Sequence, residues 1–371
     1  MCSSDLKVWI AGGSLLFAAG YAYLFFPMGR VSPLGMTLAL FVLFFAWSMI
    51  VVPYYAWSGE LTRDYHERTR VTTYQTVASS LSQASIMVLP ALADALRPGD
   101  QLLKLNLLGA AVLVPMIPGT VLGLLAFPDT SPAPRRSTRR TTWREMMAAV
   151  IAERTILKIM LADFAILFAQ SIRGGLLVFY VTYVAGMPRL ASSLFLFQFV
   201  FGIAAAPIWQ HIARRVGKHK AVIAGELAQV GINLALILVG AGDMVLLLGL
   251  TMLQGLTQGS GNLLLRAMLA DVADDYRLRT GQDRSALLFS VLSTSGKAGS
   301  AIPLGLALPL IAWFGFDPKV AAQPHAGLLA LAVVFSIGPA LAHLAATLFI
   351  RRYPIDEARQ IEIERMLEAE A

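Results

Sequence analysis

Apolar residues in this chain fall into long unbroken runs separated by short polar connections, with little of the alternation that marks a half-exposed surface helix. Ten runs can be marked, at residues 8–28, 34–58, 71–96, 102–127, 156–184, 190–212, 221–240, 244–269, 285–313 and 327–350. Each is long enough to cross a hydrocarbon core of about 30 Å as a helix. The pattern predicts an all-α polytopic membrane protein with ten transmembrane helices, four before and six after one long polar connection. The expected organisation is a four-span N-terminal half over residues 1–127, a basic linker over 128–154, a six-span half over 155–350 and a tail over 351–371. The linker is rich in Pro, Ser, Thr and Arg and then predicts a short amphipathic helix from Trp143. The tail, with Glu and Arg at helical spacing, reads as a solvated cytoplasmic helix.

Composition agrees with this pattern: 57% of residues are hydrophobic and 14% charged, and mean hydropathy is +0.65. Soluble-enzyme readings are excluded by those values. The net charge of +7 does not point to nucleic acid, because the basic residues sit in the short connections. Alternate connections divide sharply. One set carries 22 Lys and Arg, among them Lys7, Arg63, Arg68, Arg70, Arg135, Arg136, Arg214, Arg215, Lys218, Arg277, Arg279, Arg351 and Arg352, and the opposite set only five, Arg30, Arg97, Lys104, Arg189 and Lys319. The positive-inside rule makes the first set cytoplasmic, with both termini inside and the plasma (cell inner) membrane as the expected location. A single cysteine, Cys2, excludes a disulfide framework or a Cys-based metal site within one chain.

The two halves share a motif. Asp64-Tyr65-x-x-Arg68-Thr69 returns as Asp275-Tyr276-x-x-Arg279-Thr280, each copy with an acid four residues earlier, Glu60 and Asp271. Lys7 precedes Asp64 by 57 residues and Lys220 precedes Asp275 by 55, so the halves run in register from Lys7 onward. Two spans that precede Lys220 have no counterpart before Lys7, and the expectation is a six-plus-six protein represented without its first two helices.

The residues Val52-Pro53-Tyr54-Tyr55-Ala56, the hinge from Glu60 to Arg70, Met268 to Asp274 with Arg279-Thr280-Gly281, and Lys297-Ala298-Gly299 resemble the melibiose-permease-like family of glycoside-pentoside-hexuronide:cation symporters, within the major facilitator superfamily. The resemblance runs in order along nearly the whole chain. It implies a facilitator fold that moves a sugar or glycoside with Na⁺ or H⁺ by alternating access, with no cofactor beyond that coupling cation. It also implies a sugar-stacking role for Tyr55 and contact of Lys297 with cargo or with acids.

Polar residues within spans are the candidate substrate contacts, because each would be costly against lipid. Gln254, Gln258, Asn262 and Arg266 recur every four residues and form one slowly drifting stripe on a helix. Amides so placed can both donate to and accept from sugar hydroxyls; the competing use is interhelical hydrogen bonding. Arg266 lies near the cytoplasmic end, where snorkelling or helix pairing is expected instead. Gln170 and Gln198 are lesser candidates. Asp163 and Arg173 are possible pathway charges, about 15 Å apart on one helix and so not partners of each other. Glu226 lies close enough to Lys220 for a local ion pair. Glu60, Asp64, Arg68, Asp271, Asp275 and Arg279 form the expected gating network in cytoplasmic loops. The five His residues, including His343, show no metal-ligand spacing, and no enzyme motif is present. Partners are therefore a small solute and the lipid bilayer. Rival readings are a lysolipid or amphiphile carrier, a non-transporting receptor and an inactive fragment.

The charge division sets a topology that labelling can read. In a Cys2→Ser background, Arg97→Cys and Lys319→Cys should react with an impermeant maleimide from the side opposite to Arg215→Cys and Arg352→Cys. Labelling of all four from one side would overturn the orientation.

Overall fold

The computed structural model describes residues 3–369 apart from 28, 30–31, 61–64, 98, 127–152, 281–284, 321 and 356, with the side chains of 3–6, 52, 55–60, 65–73, 76–77, 80, 87, 91, 206, 263, 285–287, 357, 364 and 367–369 also outside the description. Every regular element among the described residues is helical. Two units are formed, Met1–Arg139 and Arg140–Ala371.

The first unit holds α1 (Ser3–Phe25), α2 (Pro33–Glu60), α3 (Tyr65–Leu96) and α4 (Gln101–Ala126). Small residues bring α1 and α2 together: a Cβ on Gly13 would lie 2.9 Å from Met49 Cβ, and Ala46 is fully buried. Lipid offers no hydrophobic drive for such contacts, so close approach and dispersion must supply it. Hydroxyls of Ser14 and Thr120, 3.4 Å apart, join α1 to α4, and an ion pair of 2.7 Å between Lys104 and Asp94 joins α4 to α3.

The second unit holds α5 (Arg154–Phe179, extended by a π turn Tyr180–Val184), α6 (Ala191–Val216), α7 (Lys218–Ala235), α8 (Met244–Thr280), α9 (Ser285–Trp313), α10 (His325–Ile350) and a terminal α11 (Glu357–Ala369). Helix α5 packs on α9 and α10, α6 on α8, and α7 on both α8 and α10. Glycines set several contacts. On Gly255 of α8 a Cβ would stand 2.5 Å from the Gln198 carbonyl oxygen of α6, and on Gly299 of α9 it would stand 2.9 Å from that of Phe164 of α5. The basic turn between α6 and α7 pivots on Gly217, whose φ of 89° is open to glycine at no steric cost.

Seven helical stretches are long and apolar enough to cross a membrane: Lys7–Phe25, Pro33–Val51, Gln101–Ala126, Arg154–Val184, Pro188–Ala205, Lys218–Leu238 and His325–Ile350. Length and apolarity together thus single out seven spans among the described residues, against the ten expected. The other long helices are α3, with its Ser and Gln, α8, which carries the amide stripe, and α9, rich in Ser, Gly and Pro.

Two expectations are corrected here. Residues 275–280, expected as a loop, form the last turns of α8, because no helix breaker precedes Gly281 and Arg279 pairs with Asp275 one turn back at 2.8 Å. The tail is not simply solvated. Ile355 and Ile363, 7% and 0% exposed, join the apolar cluster that contains Leu269 and Val272, so α11 docks on α8 through one apolar edge. The linker 128–154, its helix from Trp143 included, lies almost wholly outside the described residues.

Close approach at Gly255 is a stability feature open to test. Gly255→Leu should lower stability in detergent by about 1–3 kcal/mol through overpacking. Gly231→Leu, on an exposed face with nothing within 4 Å, should leave thermal unfolding nearly unchanged. Equal melting temperatures for the two variants would contradict the packing described.

Candidate functional site

The second unit has two apolar clusters with a polar belt between them. One cluster, at the Arg- and Lys-rich end, gathers Ile156 to Ile166, Val222, Leu264 to Ala273, Ala346 and Ile350. The other gathers Ile172 to Ala185, Ile232, Leu236, Leu247, Leu250, Leu331 and Phe335. Along α7 the chain passes from Val222 through Glu226 and Gln229 to Ile232; along α8 from Leu250 through Thr251, Gln254 and Ser260 to Leu264; along α10 from Phe335 through Ser336 and His343 to Ala346. All these polar side chains are buried. A buried polar group without a partner is costly, and the belt answers by hydrogen bonding across helices.

The stripe on α8 enters this belt. Gln198 of α6 donates its amide to Gln258 Oε1 at 2.6 Å, and Asn262 donates to Gln170 Oε1 of α5 at 3.2 Å. Both stripe residues are half-buried. Gln254 is 2% exposed, and its side-chain oxygen finds no partner among the described residues; the same is true of Asn262 Oδ1. The stripe residues Gln258 and Asn262 and the lesser candidates Gln198 and Gln170 are thus brought together in two amide pairs. Arg266, one turn further, is exposed.

Arg173 is 4% exposed on α5. Its Nη1 donates to Asn233 Oδ1 at 3.2 Å, the guanidinium lies 5.2 Å from the Phe335 ring centroid, and Nη2 has no partner among the described residues. Tyr180 stacks on the same ring at 4.2 Å and donates to the Leu236 carbonyl, so α5, α7 and α10 are locked around one aromatic. Asp163, 6% exposed, lies against α9, where a Cβ on Gly296 would be 3.3 Å from its Oδ2.

Sequence reasoning missed the pair at the centre of the belt. Glu226 Oε2 and His343 Nδ1 lie 2.5 Å apart, with side chains 2% and 1% exposed. The expected Glu226–Lys220 pair is not formed: six residues place the two on different faces of α7, and Lys220 is exposed. The available signal was His343 itself, the one ionisable residue inside an otherwise apolar span, which metal-ligand spacing could not register.

At the basic end, charges close a network. Lys218 donates to both carboxylate oxygens of Asp271 at 2.7 Å. Arg279 binds Asp275 at 2.8 Å and Glu153 at 3.2 Å, and Arg359 of α11 reaches Asp275 at 3.5 Å. Tyr353 donates to the Met268 carbonyl, and burial, then the charges of Asp271 and Asp275, push its phenol above the ordinary range. These contacts tie α7, α8, α11 and the segment before α5. Lys297 is exposed on α9, and among the described residues it makes no ion pair. Its neighbours Gly296 and Gly299 take the close contact with α5. Tyr55, Glu60, Asp64 and Arg68 lie outside the described side chains.

The profile of a family described as MFS/sugar transport protein matches residues 6–357. The sodium-dependent lysophosphatidylcholine symporter 1-A of Danio rerio is 25% identical over 227 residues, 61% of this chain and 42% of that protein. The chain therefore spans less than half the length of such relatives. A protein of Escherichia coli described as a glycoside/cation symporter is 24% identical over 338 residues, 86% of this chain and 70% of that one. Among solved structures, the fucose:proton symporter of E. coli superposes with a TM-score of 0.54 at 15% identity, over 94% of this chain and 84% of that one, a likeness of fold.

The Lys218–Asp271 pair is asymmetric, with Lys218 40% and Asp271 8% exposed. Lys218→Ala should cost about 1–3 kcal/mol, because it removes the cation that donates to both oxygens of a buried carboxylate, whereas Lys218→Arg should keep most of the stability. Thermal unfolding in detergent gives the comparison, and an unperturbed Lys218→Ala protein would count against the pair.

Proposed function

We propose that this chain, which belongs to the MFS/sugar transport protein family, moves a sugar or glycoside across the cell's plasma membrane together with a cation, by alternating access. The observation that carries this reading is the amide stripe of α8. Its Gln254, Gln258 and Asn262 lie within a membrane-sized helical unit, and acceptors on Gln254 and Asn262 remain open among the described residues. Two-sided donors and acceptors of this kind suit hydroxyl-rich cargo. We assign substrate contact to Gln254, Gln258, Asn262, Gln170, Tyr55 and Lys297, with Asp163 and Arg173 as pathway charges. The cytoplasmic charges Glu60, Asp64, Arg68, Asp271, Asp275 and Arg279 act as a gate that forms in one state and opens in another. Ten spans with both termini in the cytoplasm complete the proposal.

The match to a lysophosphatidylcholine symporter favours a second reading, carriage of a lysolipid. Proteoliposomes separate the two. Radiolabelled melibiose should accumulate under an imposed cation gradient while labelled lysophosphatidylcholine does not; the reverse result would replace sugar by lysolipid. Gln258→Leu and Asn262→Leu should each lower uptake by tenfold or more at unchanged protein level, and Lys297→Ala should abolish it. Unchanged uptake in all three would remove the stripe and Lys297 from the site.

A further inference from the structure

A carboxyl and an imidazole in direct contact, both sealed from water, form an unusual object inside a membrane protein. Glu226 and His343 make only one ion pair among the described residues, and that is with each other. The other Glu226 oxygen faces Gly261, where an added Cβ would lie 2.7 Å from Oε1 and equally close to Ile166 Cδ1. Gly261 thus leaves room for that oxygen where any larger residue would meet it. His343 Nε2 is buried with no partner among the described residues.

Several charged groups on the packed helices have other partners or lie at the basic end. On α5, Arg173 binds Asn233, while Asp163 faces α9. On α7, Lys218 binds Asp271 of α8, and His219 and Lys220 lie at the same basic end. On α8, Arg266 is exposed, and Asp275 and Arg279 belong to the cluster at the end. On α10 the only other titratable group is His325, eighteen residues or about 27 Å away.

Proton count then decides the charge of the pair. With no proton on the carboxylate and one on the ring the pair is −1; with one more proton, on either group, it is neutral. Isolated charge in a low-dielectric interior is expensive, and among the described residues no third charged group forms an ion pair with either partner. An imidazole nitrogen accepts a proton and is a poor ligand for a hard alkali cation, which takes oxygens. We propose that Glu226 and His343 form a buried proton-binding site, which gains and loses one proton per transport cycle and makes H⁺ the coupling cation. This rests on the transport reading above and narrows its cation. The pair lies seven residues, about 10 Å, from the basic end of α10, so one proton entering here changes the charge of a helix–helix contact inside the unit.

Two measurements test it, the first independent of transport. Infrared difference spectra of the unaltered protein in lipid, recorded across pH 5–9, should show a carboxyl–imidazole protonation signature, absent in both Glu226→Gln and His343→Gln. A signature unchanged by either substitution would overturn the site, and so would none in the unaltered protein. The second uses His343→Arg, which keeps a donor to Glu226 but cannot give up its proton. Melibiose exchange at equilibrium should persist in this variant, certifying fold and cargo binding, while accumulation driven by a proton gradient falls at least tenfold. Retained accumulation, or uptake in the unaltered protein driven by Na⁺ with no proton movement, would overturn proton coupling. No melibiose flux of any kind, beside an intact infrared signature, would overturn the transport reading and the coupling with it while leaving a proton-binding site.

Discussion

Inside a bilayer no water can repair a missing hydrogen bond, and the second unit is built around that constraint. Many of its buried polar side chains lie in a belt between two apolar clusters, where Gln229 reaches Thr257 and Glu226 reaches His343, while Arg173 reaches Asn233 within the second cluster, each across a helix boundary. Apolar clusters on either side fix the helices; the belt then has little freedom in which partners to choose. Such bonds contribute modestly to stability, on the order of 1 kcal/mol each in membrane bundles, but leaving one unmade costs more than making it gains. Register between helices is therefore set by the polar level as much as by the apolar surface above and below it.

Glycines make those short crossings possible. Gly261 admits the Glu226 carboxylate, Gly299 admits the Phe164 backbone and Gly255 admits that of Gln198. The Lys297-Ala298-Gly299 element shows the division of labour most clearly. Its glycine supplies helix contact while its lysine remains exposed, so the two contribute different things: one a distance, the other a charge.

Helix positions were legible in the sequence because the bilayer demands long apolar runs; the run read at 285–313 coincides with α9, and that at 327–350 begins two residues inside α10. The ends were less legible. Charged residues at 270–280 read as a loop, yet a helix can continue past the hydrocarbon when i,i+4 pairs such as Asp275–Arg279 support it. The stripe Gln254, Gln258, Asn262 could be read from spacing alone, but its partners Gln198 and Gln170 are 60 and 92 residues away and only packing joins them. For the same reason Glu226 was assigned to nearby Lys220, when its partner lies 117 residues off. Local spacing carries no information on contacts of that range.

Belt and end cluster differ in how they respond to their surroundings. Arg279, 45% exposed, and Arg359, 39% exposed, are in contact with water, where such pairs are worth about 0–1 kcal/mol each and salt weakens them further. Contacts that weak can exchange partners at small cost, as the gate proposed for this end requires. The buried pair is the reverse. Ionic strength hardly reaches it, because screening acts on exposed charges far better than on buried ones. A protein that places labile charges at its rim and a sealed titratable pair in its interior can let the rim move freely while a single internal event biases which arrangement is preferred.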